Sequence, residues 1–166
     1  MCYLMSHLAR PARLMRIQLL SDLHFEFHRD GGAGLVADCA VPADVLVLAG
    51  DIAVAEGIAP ALAMFSERYE HVVYVHGNHE FYGSTRSAVA QITGEACARL
   101  GNVHWLDGEL VELAGRRFLG APLWFPESAE ATRYRRFMND FAQIRYAAIH
   151  SVTCASRRTP RSRRSA

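Results

Sequence analysis

No stretch of this chain is apolar for long enough to cross a membrane. Its apolar runs are short, such as 45–49, where a spanning helix needs about 20 such residues. The first 14 residues carry Arg10 and Arg13 but no continuous apolar segment and no evident cleavage site. They read as a loose extension ahead of a domain that begins at Met15. Lysine is absent, since all 18 basic residues are arginine. Cysteine is sparse and scattered: Cys2, Cys39, Cys97 and Cys154 form no C-x-x-C pair, which excludes a disulfide scaffold or a zinc knot. A reducing, cytoplasmic setting is expected, and any metal chemistry must use His, Asp and Asn.

What is present suits one globular domain. With 166 residues the chain can bury a core, and 51% hydrophobic with 21% charged residues is ordinary soluble composition. The net charge of +1 conceals an asymmetry, because five arginines crowd the last ten positions. The other 13 face 17 acids, so the chain without that end carries about −4. A basic end can act as a nucleic-acid arm. No aromatics are interleaved with these arginines, however, and nucleic-acid binding is not expected.

Short apolar runs alternate with helical stretches, which predicts an α/β fold. Strands are expected over 16–20, 45–49 and 72–75, the second a continuous buried run bounded by Gly50-Asp51. Residues 28–44 read as a loop with one helical turn. Helices are expected over 58–69 and 84–100, the latter capped by Ser84 and stopped by Gly101. Runs at 103–106, 110–113 and 117–120 predict short strands, the last two an antiparallel hairpin of a second sheet. Residues 128–149 show helical spacing in Phe137, Phe141, Ile144 and Ala148.

Three short segments carry the chemistry, each where a predicted strand ends: Asp22-Leu23-His24, Gly50-Asp51 and Gly77-Asn78-His79-Glu80. In parallel α/β sheets the crevice beyond the strands' carboxyl ends is where ligands bind, so these segments converge. Asp22 and His24 are two apart and in extended backbone would leave from one side to grip one cation. Asp51 can bridge two cations, and Asn78 can offer an amide oxygen. His79, adjacent to Asn78, is expected to face substrate instead. Asp and Asn also favour turns and caps for structural reasons alone. Average residue usage gives Gly-Asn-His-Glu by chance on the order of once in several thousand chains this long, so the ordered triple outweighs that bland alternative.

The triple resembles the signature of the calcineurin-like metallophosphoesterase superfamily. The strings Gly77-Asn78-His79-Glu80-Phe81-Tyr82-Gly83, Gly120-Ala121-Pro122-Leu123-Trp124 and Met138-Asn139-Asp140-Phe141 resemble one branch, the small bacterial predicted phosphohydrolases. The likeness runs over about 15–149. It implies an α/β/β/α sandwich, a mixed sheet with flanking helices, and hydrolysis of a phosphate ester at two divalent metals. By resemblance Asp22 and His24 bind the first metal, Asp51 bridges, Asn78 binds the second, and His79 donates a proton or stabilises the transition state. Glu80 would stand behind, orienting His79. The oxygen- and nitrogen-rich set suits Mn, Fe or Zn without choosing among them.

The superfamily pattern continues with a later histidine and then Gly-His-x-His, and neither occurs in this sequence. After His79 the remaining histidines are His104 and His150, both expected as packing or surface residues. Residues 151–166 are Arg/Ser-rich, without hydrophobic periodicity, and expected to be a disordered tail. Their all-arginine text matches out-of-frame translation of a GC-rich gene. The expectation is therefore a C-terminally truncated domain over 15–150 with impaired phosphoesterase activity. The alternative is a non-catalytic truncated module that binds a protein partner, with self-association through an exposed sheet edge.

Overall fold

The computed structural model describes residues 14–122 and 137–145. The expectations for Leu123, Trp124, His150 and the tail at 151–166, and most of those for the N-terminal extension and for 128–149, lie outside the described residues.

Four parallel strands, β1 (Ile17–Leu20), β2 (Val45–Ala49), β3 (His71–Val75) and β4 (Val103–Trp105), form a sheet in sequence order. Three helices connect them in turn: α1 (Ala33–Cys39), α2 (Ala55–Ser66) and α3 (Arg86–Leu100). Strands β5 (Glu109–Leu113) and β6 (Arg116–Gly120) form a separate antiparallel hairpin. A one-turn helix, α4 (Asp140–Gln143), closes the described chain.

Register decides which side chains meet the helices. Leu46, Leu48, Val72, Tyr74 and Val103 share one face and pack with Val36 of α1, Ile58, Leu62 and Phe65 of α2, and Val89 and Ala96 of α3. The opposite face, with Val45, Val47, Val73 and Val75, meets Leu113, Val111 and Phe118 of the hairpin. That cover is partial. Ile17 and Leu19 of β1 pair with Val45 and Val47 on this face and are exposed, and Leu119 of β6 is 76% exposed. No described helix is long and apolar enough to cross a membrane.

The elements depart from expectation where local signals compete. Residues 33–39 make a two-turn helix where a loop with one turn was expected, because a single buried side chain, Val36, anchors it. Helix α2 starts earlier than expected, at Ala55, and carries Pro60 inside. Helix α3 is capped by Thr85, whose hydroxyl accepts the Ala88 N–H at 3.2 Å, and not by Ser84. Ser84 instead accepts the Arg145 N–H with its carbonyl. Gly101 ends that helix in the left-handed region at φ 78°. In the described part of 128–149 the helix stops at Gln143, because Ile144 leaves it to bridge Tyr82. His104 sits on β4 with Nε2 3.4 Å from His71 Nδ1, and burial followed by its imidazole neighbour lowers its pKa.

The core gives a direct test. Truncating Leu62→Ala is expected to lower stability by about 2–5 kcal/mol in urea denaturation. Leu119→Ser, on the exposed hairpin face, should stay within about 0.5 kcal/mol. Equal losses would mean that the helix-covered face is not the cooperative unit.

Candidate metal centre

The three segments at the strand ends are stitched together by backbone. Backbone hydrogen bonds continue beyond the ends of β1 and β2, with Asp22 N–H donating to Gly50 C=O at 3.1 Å, His24 N–H to Asp51 C=O at 3.0 Å, and Phe25 N–H to Ile52 C=O at 2.9 Å. The second and third segments touch through glycine. Gly50, at φ 86°, is so close to Gly77 that a Cβ there would lie 2.6 Å from the Gly77 nitrogen. A Cβ on Gly77 would in turn fall onto the Asp51 carboxylate. Neither site tolerates a side chain, and that closeness places Asp51.

Asp22, His24 and Asp51 have φ values of 54°, 47° and 54°, three of the four positive-φ non-glycine residues among the described ones. Side-chain-bearing residues avoid this region at a cost of about 1–3 kcal/mol each, and such strain clusters at functional sites. The convergence of Asp22 and His24 is therefore not that of extended backbone, as the two-residue spacing suggested. Two left-handed residues turn both side chains inward. Potential ligand atoms of Asp22, His24 and Asp51 all lie within 4.8 Å of one another.

His79 joins them. Its backbone N–H donates to Asp51 Oδ1 at 2.8 Å, and its ring centroid is 4.3 Å from that of His24. Its Nδ1 lies 3.0 Å from Glu26 Oε1, the same oxygen that lies 3.3 Å from His24 Nδ1. Glu26 stands in a 3-10 turn, Phe25–Phe27, and its role was not read from the sequence. Partial burial pushes its carboxyl up, but hydrogen bonds from its own N–H, His79 and His24 outweigh this and hold the pKa below the ordinary range. The His79 ring also stacks on Tyr82, with centroids 4.2 Å apart.

Asn78 turns its amide nitrogen to Asp140 Oδ1 at 2.7 Å and to the Tyr82 hydroxyl at 3.1 Å. Burial and Asp140 push the Tyr82 phenol up to about 12, so it remains a hydroxyl. Asp140 also escaped the sequence reading, although the Met138-Asn139-Asp140-Phe141 string that holds it was noticed.

Glu80 does not reach His79, contrary to the role expected for it. Its side chain points inward and is 0% exposed. Oε2 accepts the N–H of Asp51 at 3.1 Å and of Gly77 at 2.8 Å, while Oε1 accepts the N–H of Ile52 at 3.0 Å and the Tyr74 hydroxyl at 2.9 Å. Burial raises its pKa while those donors pull it down. His76, buried against Tyr74, Phe81 and Trp105, shares a hydrogen bond with Thr93 Oγ1 at 2.9 Å. Burial lowers its pKa to about 4, so it serves as a neutral packing residue.

The donor set fits a divalent cation. Unit charges about 4 Å apart repel by roughly 1 kcal/mol in water and 4 kcal/mol near a protein surface. Ligand oxygens of the Asp22 and Asp51 carboxylates lie within 4.8 Å of each other, near that range. Glu26 Oε2, beside His24 and His79, is buried with no hydrogen-bond partner among the described residues. A second group of potential ligand atoms, His24, Glu26 and His79, also lies within 4.8 Å. A cation would relieve both the repulsion and the orphaned oxygen.

Glu80→Gln should separate the roles of this buried carboxylate. The amide places hydrogens against backbone N–H groups, so stability is expected to fall by about 1–3 kcal/mol. Divalent-metal affinity should fall some 10–100-fold, as for other groups that hold ligands in place. Denaturation and Mn²⁺ titration on the same preparation check both. Tyr74→Phe, which removes a single donor, should cost about 1 kcal/mol and leave metal affinity unchanged.

The architecture has counterparts among known proteins. The family model described as Calcineurin-like phosphoesterase matches residues 15–150. Among solved structures, the phosphopantetheinyl hydrolase of Mycobacterium tuberculosis has a TM-score of 0.57 at 20% identity, over 78% of this chain. The chain spans 55% of that protein's length, and at this identity the likeness is one of fold. No curated protein gives a significant match. With a family match across most of its length, and a parallel sheet carrying Asp22, His24, Asp51, Asn78 and His79 at its strand ends, the chain belongs to the calcineurin-like phosphoesterase family.

Proposed function

We propose that this chain carries the N-terminal part of a metal-dependent phosphoesterase site. The observation that carries the reading is the cluster of Asp22, His24 and Asp51 at positive φ, with ligand atoms within 4.8 Å. Asp22 and His24 would hold one divalent cation, Asp51 would be shared, and Asn78 would offer its amide oxygen to a second. Asp51 can serve two, because Oδ1 accepts one N–H while the carboxylate has about four lone-pair positions. Mn, Fe or Zn suits these donors. When bound there, such ions supply Lewis-acid polarisation of the phosphoryl group and activation of a water nucleophile.

The chain's own residues do the rest. Glu26 at His79 Nδ1 fixes that ring, leaving Nε2 to donate a proton to the departing oxygen or to steady charge on the phosphoryl oxygens. Stacking on Tyr82 limits its rotation. Glu80 holds the Asp51 and Gly77 backbone so that the ligands do not rearrange as charge develops. The substrate proposed is a phosphate ester, and the proposed compartment is the cytoplasm.

One observation favours a second reading, a non-catalytic module that binds a protein. Ile17 and Leu19 of β1, and Leu110 and Leu119 of the hairpin, are exposed apolar side chains of the kind found at contact surfaces. One assay decides between the two. The full chain is stripped with a chelator, reloaded with Mn²⁺ and offered a generic aryl phosphate. Hydrolysis should appear only after reloading. His79→Ala should lower it roughly 10²-fold or more, as for loss of a general acid. Asp51→Asn should remove most of it. Metal-independent hydrolysis, or activity untouched by both changes, would overturn the phosphoesterase reading. Three protein donors for one ion and two for the other compare with four in structural zinc, so metal binding is expected to be weak.

A further inference from the structure

An asparagine amide ends in one oxygen and one nitrogen, and only the oxygen can bind a cation. What takes the amide hydrogens therefore decides whether Asn78 can be a ligand at all. Asp140 Oδ1 lies 2.7 Å from Asn78 Nδ2 and 2.6 Å from the Tyr82 hydroxyl, which in turn lies 3.1 Å from Nδ2. A carboxylate oxygen only accepts. The reversed amide would set two acceptors 2.7 Å apart with no proton between them, so the arrangement permits one orientation. Nitrogen faces Asp140, and the oxygen faces away from it with no hydrogen bond among the described residues.

Asp140 is itself 8% exposed and reaches Asn78 across 62 positions of sequence. Its segment is docked by backbone contacts that do not involve its side chain. Gly83 N–H donates to Gln143 C=O at 2.9 Å, Arg145 N–H donates to Ser84 C=O at 2.8 Å, and Ile144 bridges Tyr82. The carboxylate is thus delivered to the Gly77–Ser84 loop by main chain and accepts from the Asn78 amide and from Tyr82 beside it.

We propose that Asp140 is a positioning residue for Asn78: it holds the amide nitrogen, directly and through Tyr82, so that Asn78 Oδ1 is presented to a divalent cation. The inference rests on the metal-site reading above and assigns no metal contact to Asp140 itself. It makes Asp140→Asn the informative substitution, because asparagine keeps an acceptor oxygen at the same reach while losing the charge. Asp140→Ala removes the acceptor.

Two measurements on the full chain test it. In the metal-free chain, the Asn78 side-chain amide signals are followed by ¹⁵N NMR and assigned by their loss in Asn78→Ala. They should show slowed hydrogen exchange in the wild type and in Asp140→Asn, and should lose it in Asp140→Ala. Titration with Mn²⁺ should give affinities within about threefold for wild type and Asp140→Asn, and 10–100-fold weaker for Asp140→Ala. If Asp140→Ala does not fold, Asp140→Ser, too short to reach and tolerated at a helix start, gives the same comparison. Loss of affinity as large in Asp140→Asn as in Asp140→Ala would make the charge decisive and overturn the positioning role. Unchanged affinity in Asp140→Ala, with stability lowered, would reduce Asp140 to a structural contact and also overturn it. No Mn²⁺ binding by the wild type would overturn the metal reading itself, and this role with it.

Discussion

The candidate centre hangs on a buried carboxylate held by neutral hydrogen-bond donors. Glu80 is removed from water, and a lone anion there would be expelled or neutralised at large cost. Three backbone N–H groups and a tyrosine hydroxyl compensate it, and those N–H groups come from two different strand ends, Asp51-Ile52 and Gly77. Charge-assisted bonds of this kind are about twice as strong as neutral ones. The requirement is geometric: both loops must approach one side chain together. Once they do, Gly50 and Gly77 are in contact and the Asp51 side chain has its position fixed.

The strain at Asp22, His24 and Asp51 belongs to the same construction. Left-handed residues with side chains persist only where their surroundings over-determine them. Here backbone hydrogen bonds run from Asp22, His24 and Phe25 to Gly50, Asp51 and Ile52, so each strained residue of the first segment donates its N–H to the second. The second is held by Glu80. Core packing beneath, with Leu46, Leu48 and Tyr74 buried, supplies a rigid base from which the strain can be borne.

What was legible in the sequence follows from how local each signal is. Strand β2 is found residue for residue at 45–49, since a continuous apolar run ended by Gly-Asp admits one reading. The hairpin is found because Ala114-Gly115 is turn chemistry, with both residues at positive φ. Helix α1 was hidden by Gly31-Gly32 and by having one buried side chain over seven residues. At the site, motif and strand end located Asp22, His24, Asp51 and His79 together. The partners did not show, because no spacing rule connects Glu26 with His79 or Asp140 with Asn78. The separations of 53 and 62 positions are closed by the sheet and by the docking of 140–145. Glu80 misled for the complementary reason: next to His79 in sequence, it faces the opposite way in space.

Glu26 shows how far those non-local contacts matter to the chemistry. One oxygen, Oε1, meets Nδ1 of both His24 and His79. An imidazole with Nδ1 engaged in this way has only Nε2 left for a cation or a substrate, and the partner at the other nitrogen sets tautomer and ring direction. In the proposed reading His24 serves the cation and His79 the departing oxygen, so a single carboxylate sets the orientation of a ligand and of the proton donor at once. The two candidate ligand groups, which share His24, are then parts of one centre and not competing sites. In that reading the 4.3 Å between the two rings would keep proton donor and cation beside the same phosphoryl group, the closeness that metal-assisted ester cleavage requires.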